Sequence, residues 1–287
     1  MSRLLLIAAA TFFAVTTRAQ TPQPMLAIPK QIVLQANFDQ TMLLPKKTWL
    51  PRQGTRWSVQ DGVLRGRQSS PEYQAARQDH FGYEPRLSVP ATPHDFIASF
   101  KIRFMGGRET PITPFIEFDH HVCRIRFSQE GTSLLADHEV WKVAEASDFV
   151  WKTSQWYSIT AERRGTEFLM QIANGPTLYA DHSAFGQTAS SGGNGLGVAG
   201  PRKGEVEIDD LTIWSIKEKM RADWPALRAK LPTMKPVQLK KPKPKQRLRP
   251  NSSPTRDSQP KTKVGEQQGS QPAQKTQPPK PPLLRQL

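Results

Sequence analysis

A single cysteine, Cys123, stands in 287 residues. That excludes an intrachain disulfide framework and any cysteine-based zinc site. No helper base can be placed beside it, so Cys123 reads as a small buried apolar residue. Long apolar runs are equally scarce. Residues 4–15 (LLLIAAATFFAV) form the one sustained stretch, shorter than the roughly 18 residues of a membrane helix. Met1 to Arg3 give it a positive start and Thr17-Arg18-Ala19 follows, the layout of a signal peptide over 1–19 cleaved after Ala19. The expected mature protein is secreted or periplasmic and has no transmembrane segment. Acidic residues are nearly missing from one region. Residues 231–287 hold 13 Lys+Arg against 2 Asp+Glu, with 12 of the 26 prolines and no aromatic residue. This stretch carries +11 of the formal +15, and residues 20–230 keep only +2. The basic character belongs to an appendage, and specific nucleic-acid binding by a globular core is not supported.

Convincing helical periodicity is also absent before residue 216. What is there instead is alternation, interrupted by turn residues at close intervals. Phe96, Ala98, Phe100, Ile102 and Phe104 share one face of DFIASFKIRF, while Ser99, Lys101 and Arg103 share the other. Asp61-Gly62 between two short strands signals a hairpin. Arg163-Arg164-Gly165-Thr166 reads as a turn. In 206–214 the apolar positions are 206 and 208, then 211 and 213, so parity changes at Asp209-Asp210 as a bulge requires. About a dozen strands are expected, which suits an all-β fold, a two-sheet antiparallel sandwich. The expected organisation is a linker over 20–31, the sandwich over 32–216, a short helix over 217–231 and a disordered Lys/Pro-rich tail over 232–287.

Four motifs carry a family likeness: W-x-V-x-D-G-V-L-x-G at 57–66, W-x-x-x-x-W-Y at 151–157, G-x-G-V-A-G at 195–200 and V-x-I-D-D-L-T-I-W at 206–214. Together they resemble the concanavalin A-like jelly-roll domains. More narrowly, they resemble the bacterial secreted group labelled 3-keto-disaccharide hydrolase or family-16-like glycosidase domains. The resemblance implies a jelly roll and a carbohydrate-related role. Jelly-roll glucanases of the retaining type place E-x-D-x-x-E on one strand, as nucleophile, supporting Asp and acid/base. On that resemblance Glu117 and Asp119 match the first two positions, and Val122 occupies the third.

Several side chains are candidates for binding. On a strand over 122–127, Arg124 and Arg126 project from one face, and with His121 they suit a carboxylate or sulfate group. Among aromatics, Trp57, Trp156 and Trp214 fall in strand motifs and are expected in the core. Trp49, Trp141, Trp151, Tyr73, Phe81 and Tyr83 lie in loop-like segments, with Trp141 a candidate for stacking on a sugar. Asp39 in the first strand and Asp209 in the last are candidates for a structural calcium, a hard cation that takes oxygen ligands. The tail segment 235–249 (KPVQLKKPKPKQRLR) suits salt-sensitive attachment to anionic cell-envelope polymers. The expected function is a glycan-binding jelly roll with a basic tail for attachment. A glycoside hydrolase using Glu117 and Asp119, and an envelope structural module that holds a partner protein, stand as alternatives.

Overall fold

Alternation of side chains decides the architecture. The computed structural model describes residues 21–40, 43–107, 113–187 and 195–239. In chain order the strands are β1 (Pro29–Ala36), β2 (Leu50–Pro51), β3 (Arg56–Gln60), β4 (Val63–Arg67), β5 (Arg86–Val89), β6 (Phe96–Met105), β7 (Phe115–Phe118) and β8 (Cys123–Ser128). They continue as β9 (Gly131–Ala136), β10 (Trp141–Ala146), β11 (Tyr157–Arg164), β12 (Glu167–Ile172), β13 (Thr177–Asp181), β14 (Leu196–Ala199), β15 (Glu205–Ile216) and β16 (Val237–Gln238). One-turn helices α1 (Pro71–Ala75) and α2 (Trp224–Arg228) are the only α-helices among the described residues, and neither is long enough to cross a membrane.

The strands form two antiparallel sheets of eight, a jelly-roll sandwich. The first runs β13-β12-β11-β6-β15-β4-β3, with β1 also paired to β15; the second runs β16-β10-β9-β8-β7-β14-β5-β2. All five apolar residues of the β6 stripe are buried between the sheets. Phe96 stacks on Phe118 of the facing sheet at 4.5 Å, and Phe104 meets Phe127 at 5.9 Å. The Asp61-Gly62 hairpin forms with both residues at positive φ, 53° and 74°. The expected bulge lies between Asp209 and Thr212, where Asp210 takes φ 49° and the register with β6 shifts.

Both flanks of the sandwich differ from the sequence reading. Residues 21–28, expected within a linker, form a strap against the outer face of the first sheet. The buried Glu162 carboxylate accepts the backbone N–H groups of Met25, Leu26 and Ala27 at 2.7, 3.0 and 2.8 Å. Leu26 joins Leu169, Tyr179 and Trp224 in a second small core. The expected helix over 217–231 contracts to one turn at α2, because its value lies in burying Trp224 rather than in helical length. Residues 232–239, expected to open the tail, continue past α2, and Val237–Gln238 pair with β10 at the sheet edge. The expected signal peptide and the rest of the tail lie outside the described residues.

Trp49 and Trp151 are core residues, contrary to their loop-like sequence context, whereas Trp156 and Trp214 are only half-buried. Removing the Glu162 carboxylate leaves three amide donors without their acceptor, at a cost of about 1–3 kcal/mol for each that stays buried. Glu162→Ala is therefore expected to speed hydrogen exchange at Met25, Leu26 and Ala27 and to lower the melting temperature. Unchanged protection at these amides would show that the strap is held by its apolar contacts alone.

Candidate functional site

The outer face of the second sheet carries the chemistry. On β5, β14, β7 and β8 the inward positions are Leu87, Val89, Leu196, Val198, Ile116, Phe118, Cys123, Ile125 and Phe127, all in the core. Their neighbours face outward. Strand register aligns Ser88, Gly197, Glu117, Arg124 and Leu135 in one row across the sheet. A second row holds Arg86, Ala199, Phe115, Arg126 and Ser133. Gly197 is required by its neighbour, since a Cβ there would lie 2.8 Å from Glu117 Cγ.

A cleft of about 440 Å³ lies on this face and is lined by Arg86, Ser88, Phe115, Glu117, His120 and His121, with Arg52, Tyr73, Arg77, Asp79 and His80 from the loop region before β5. The loop residues are placed by local rules. Ser70 Oγ caps α1 by accepting the Tyr73 N–H at 3.2 Å, and Pro71 opens the helix. The Tyr73 ring occupies the space a side chain at Gly54 would need, 2.5 Å from an ideal Cβ. Arg77 lies over that ring at 4.6 Å.

Opposite charges interlock beside the cleft. Arg124 donates to Glu117 Oε2 from Nη2 at 2.6 Å and from Nε at 3.2 Å. It also donates to Glu139, whose other oxygen accepts from Arg126. Arg124 Nη2 donates to His121 Nδ1 at 2.7 Å, which assigns the His121 proton to Nε2. His120 Nδ1 donates to Glu117 Oε1 at 3.2 Å. Burial alone would raise the Glu117 pKa, but the His120 hydrogen bond and the Arg124 charge outweigh it and hold the carboxyl at about 2. Burial, followed by the Arg124 and His120 charges, pushes His121 down to about 4. Burial raises the Cys123 thiol well above its usual range and leaves it inert.

Asp119 does not join Glu117 in the cleft. Strand β7 ends at Phe118, and Asp119 takes φ 52°, which breaks the alternation that would have put both carboxylates on one face. Its carboxylate turns into the sandwich, where Oδ2 accepts from Arg163 Nη2 at 2.6 Å and Oδ1 from the Gly195 N–H at 3.0 Å. Arg163, read as a turn residue, is a buried residue of β11. Trp141 also stays apart from the cleft, its ring 6.2 Å from His182.

Two metal possibilities fail on chemistry. Asp39 and Asp209 do line one cavity of about 600 Å³ on the first sheet's outer face, together with Asp61, but Arg65, Lys101 and Arg103 line it too. Among the described residues these three carboxylates do not bring ligand atoms within 4.8 Å of one another, and the three cations beside them oppose a further cation, so the expected calcium site finds no support here. Glu117, His120 and His121 bring possible ligand atoms within 4.8 Å of one another. The Arg124 guanidinium already engages Glu117 and His121, and a second cation there would face repulsion.

No protein-family model and no curated protein matches this chain. Solved structures do resemble it. A galectin-like-fold protein of unknown function from Bacillus subtilis shares 11% identity at TM-score 0.47, over 67% of this chain and all of that one. A β-1,3-glucanase from Mycobacterium marinum shares 12% at TM-score 0.42, over 64% and 99%. Carbohydrate-binding module CBM66 from Bacillus subtilis shares 10% at TM-score 0.35, over 59% and 96%. Likenesses this distant assign no function to the cleft.

The two shifted groups make stability fall with acidification. Between pH 6.5 and about 4 the unfolded chain protonates His121 while the folded chain does not, so stability declines through that window. The Glu117 contribution is complete above about pH 4.5 and is lost as pH falls toward 2. His121→Gln is expected to flatten the urea-unfolding midpoint between pH 6.5 and 4 relative to wild type. Parallel pH profiles would show that His121 titrates normally.

Proposed function

We propose that this chain is a non-catalytic glycan-binding jelly roll whose recognition site is the cleft on the outer face of the second sheet. The engagement of Glu117 by Arg124 and His120, with Val122 in place of an acid/base, is the observation that carries the reading. A two-carboxylate glycosidase needs a proton donor with a raised pKa beside a second carboxyl group. Glu117 matches the nucleophile position but its oxygens are engaged by Arg124 and His120, Val122 stands where the acid/base would be, and Asp119 serves a buried ion pair. What remains in the cleft suits binding. The Tyr73 ring, held between Gly54 and Arg77, supports the wall of the cleft, and Ser88, His80 and the arginines offer hydrogen-bonding groups for sugar hydroxyls. On this reading the protein acts outside the cytoplasm, after removal of 1–19. The basic segment 235–249 then adds a salt-sensitive attraction to anionic envelope polymers.

Glycan panels scored for both retention and cleavage test the proposal. Wild type is expected to retain glycan without releasing reducing ends, and Tyr73→Ala to weaken retention about tenfold, or roughly 1.4 kcal/mol, because the ring that supports Arg77 at the cleft wall is lost. Release of reducing sugar that disappears in Glu117→Gln would establish the hydrolase instead.

A further inference from the structure

The arginines singled out by sequence are not the ones left free. Arg124 and Arg126 are internally neutralised by Glu117 and Glu139. Three other guanidiniums line the cleft, on Arg52, Arg77 and Arg86, and none of them forms an ion pair within 4.0 Å among the described residues. The cleft's two carboxylates do not balance them, since Glu117 is held by Arg124 and Asp79 alone stands against three guanidiniums.

Arg86 is the distinctive member. It lies one strand away from Ala199 and two from Phe115, in the second outward row. Its guanidinium is 5.6 Å from the Phe115 ring centroid, and that of Arg124 is 3.8 Å from the same centroid. The Arg86 Nε is buried and has no hydrogen-bond partner among the described residues. Burial lowers the Arg86 pKa; Glu84 and Glu117 oppose that shift, while the charges of Arg124 and Arg52 add to it. A guanidinium still remains charged at any ordinary pH. The terminal N–H groups of Arg86 form no ion pair among the described residues, and a guanidinium at the cleft wall can donate two parallel bonds to a carboxylate or sulfate.

We infer that the cleft recognises an acidic glycan, with the carboxylate or sulfate of a charged sugar received by Arg86 and flanked by Arg52 and Arg77. The inference rests on the glycan-binding reading and adds the charge of the ligand. Tyr73 then supports Arg77 from beneath, while the Glu117–Arg124 pair holds the floor of the site rather than contacting the anion.

Matched oligosaccharide pairs separate the two claims: an oligogalacturonate with its methyl ester, and a sulfated oligosaccharide with its desulfated form. Each is titrated calorimetrically against the full chain at fixed salt, so the basic tail is common to every comparison. Wild type is expected to bind the charged member of at least one pair tenfold or more tighter than the neutral member. Arg86→Gln is expected to abolish that preference, with affinity for the charged member falling to that for the neutral member, and Arg86→Lys to restore part of it. Free galacturonate and inorganic sulfate serve as further probes. Affinity for these ions equal to that for the charged oligosaccharide would replace the glycan with a small anion and overturn the inference. Equal binding of both members of every pair would overturn the acidic preference and leave glycan binding intact. An undiminished preference in a folded Arg86→Gln chain would move the anion to the tail, and failure to bind any member of any pair would sink both readings.

Discussion

A buried ion pair between the sheets governs what the cleft can do. Arg163 on β11 and Asp119, just beyond β7, are almost fully shielded from water and meet at 2.6 Å. Removing two charges from water is costly, and attraction alone seldom offsets it. Further partners help here. Asp119 accepts the Gly195 N–H, while Arg163 donates to the His94 carbonyl and lies 5.5 Å from the Phe96 ring centroid. The pair fixes the β7–β8 turn, whose residues Asp119 and His121 both take positive φ. That turn sets Glu117, His120 and His121 at the cleft and directs Asp119 away from it. One constraint thereby holds the sandwich together and takes from Glu117 the Asp that would support it.

Charge on the second sheet's outer face follows from the same geometry. Outward positions on neighbouring strands lie close enough for cross-strand pairing, and Glu117 sits directly opposite Arg124. Glu139 extends the chain of charges to Arg126. Internal pairing therefore consumes the carboxylates nearest the cleft, and Arg86 is left with a donor facing no acceptor. The binding proposal and its acidic preference share this origin: Glu117 is committed to Arg124, and the remaining guanidiniums of the cleft are in surplus.

Much of the fold was legible because strand alternation is local. The β6 stripe, the Asp61-Gly62 hairpin and the bulge at Asp209-Asp210 are properties of neighbouring residues, and the structure contains each. The strap was not legible. Ser158, Thr160 and Glu162 alternate as a solvent-facing polar edge would, and only a segment more than 130 residues away in sequence supplies what covers them, Pro22 at Thr160 and Met25 to Ala27 at Glu162. The site was legible in part. Glu117, His121 and Arg124 do come together, as their placement on adjacent strands allows. Asp119 matched a spacing whose premise, an uninterrupted strand, fails at Phe118. Arg163 was hidden because Gly165 marks a turn, and nothing in the local sequence shows that the strand persists to Arg164. Arg86 and Arg52 carry no motif, and their role depends on where strand register and the loop before α1 place them.

A double-mutant cycle on Asp119 and Arg163 tests most directly whether Asp119 belongs to the fold rather than to chemistry. Unfolding free energies would be measured for wild type, Asp119→Asn, Arg163→Met and the double variant. Each single change strands a buried partner and is expected to cost about 3–5 kcal/mol, with the double variant costing far less than the sum. Additive, sub-kcal/mol effects, accompanied by loss of a measurable glycan-cleaving activity in Asp119→Asn, would contradict that assignment and return Asp119 to the active site.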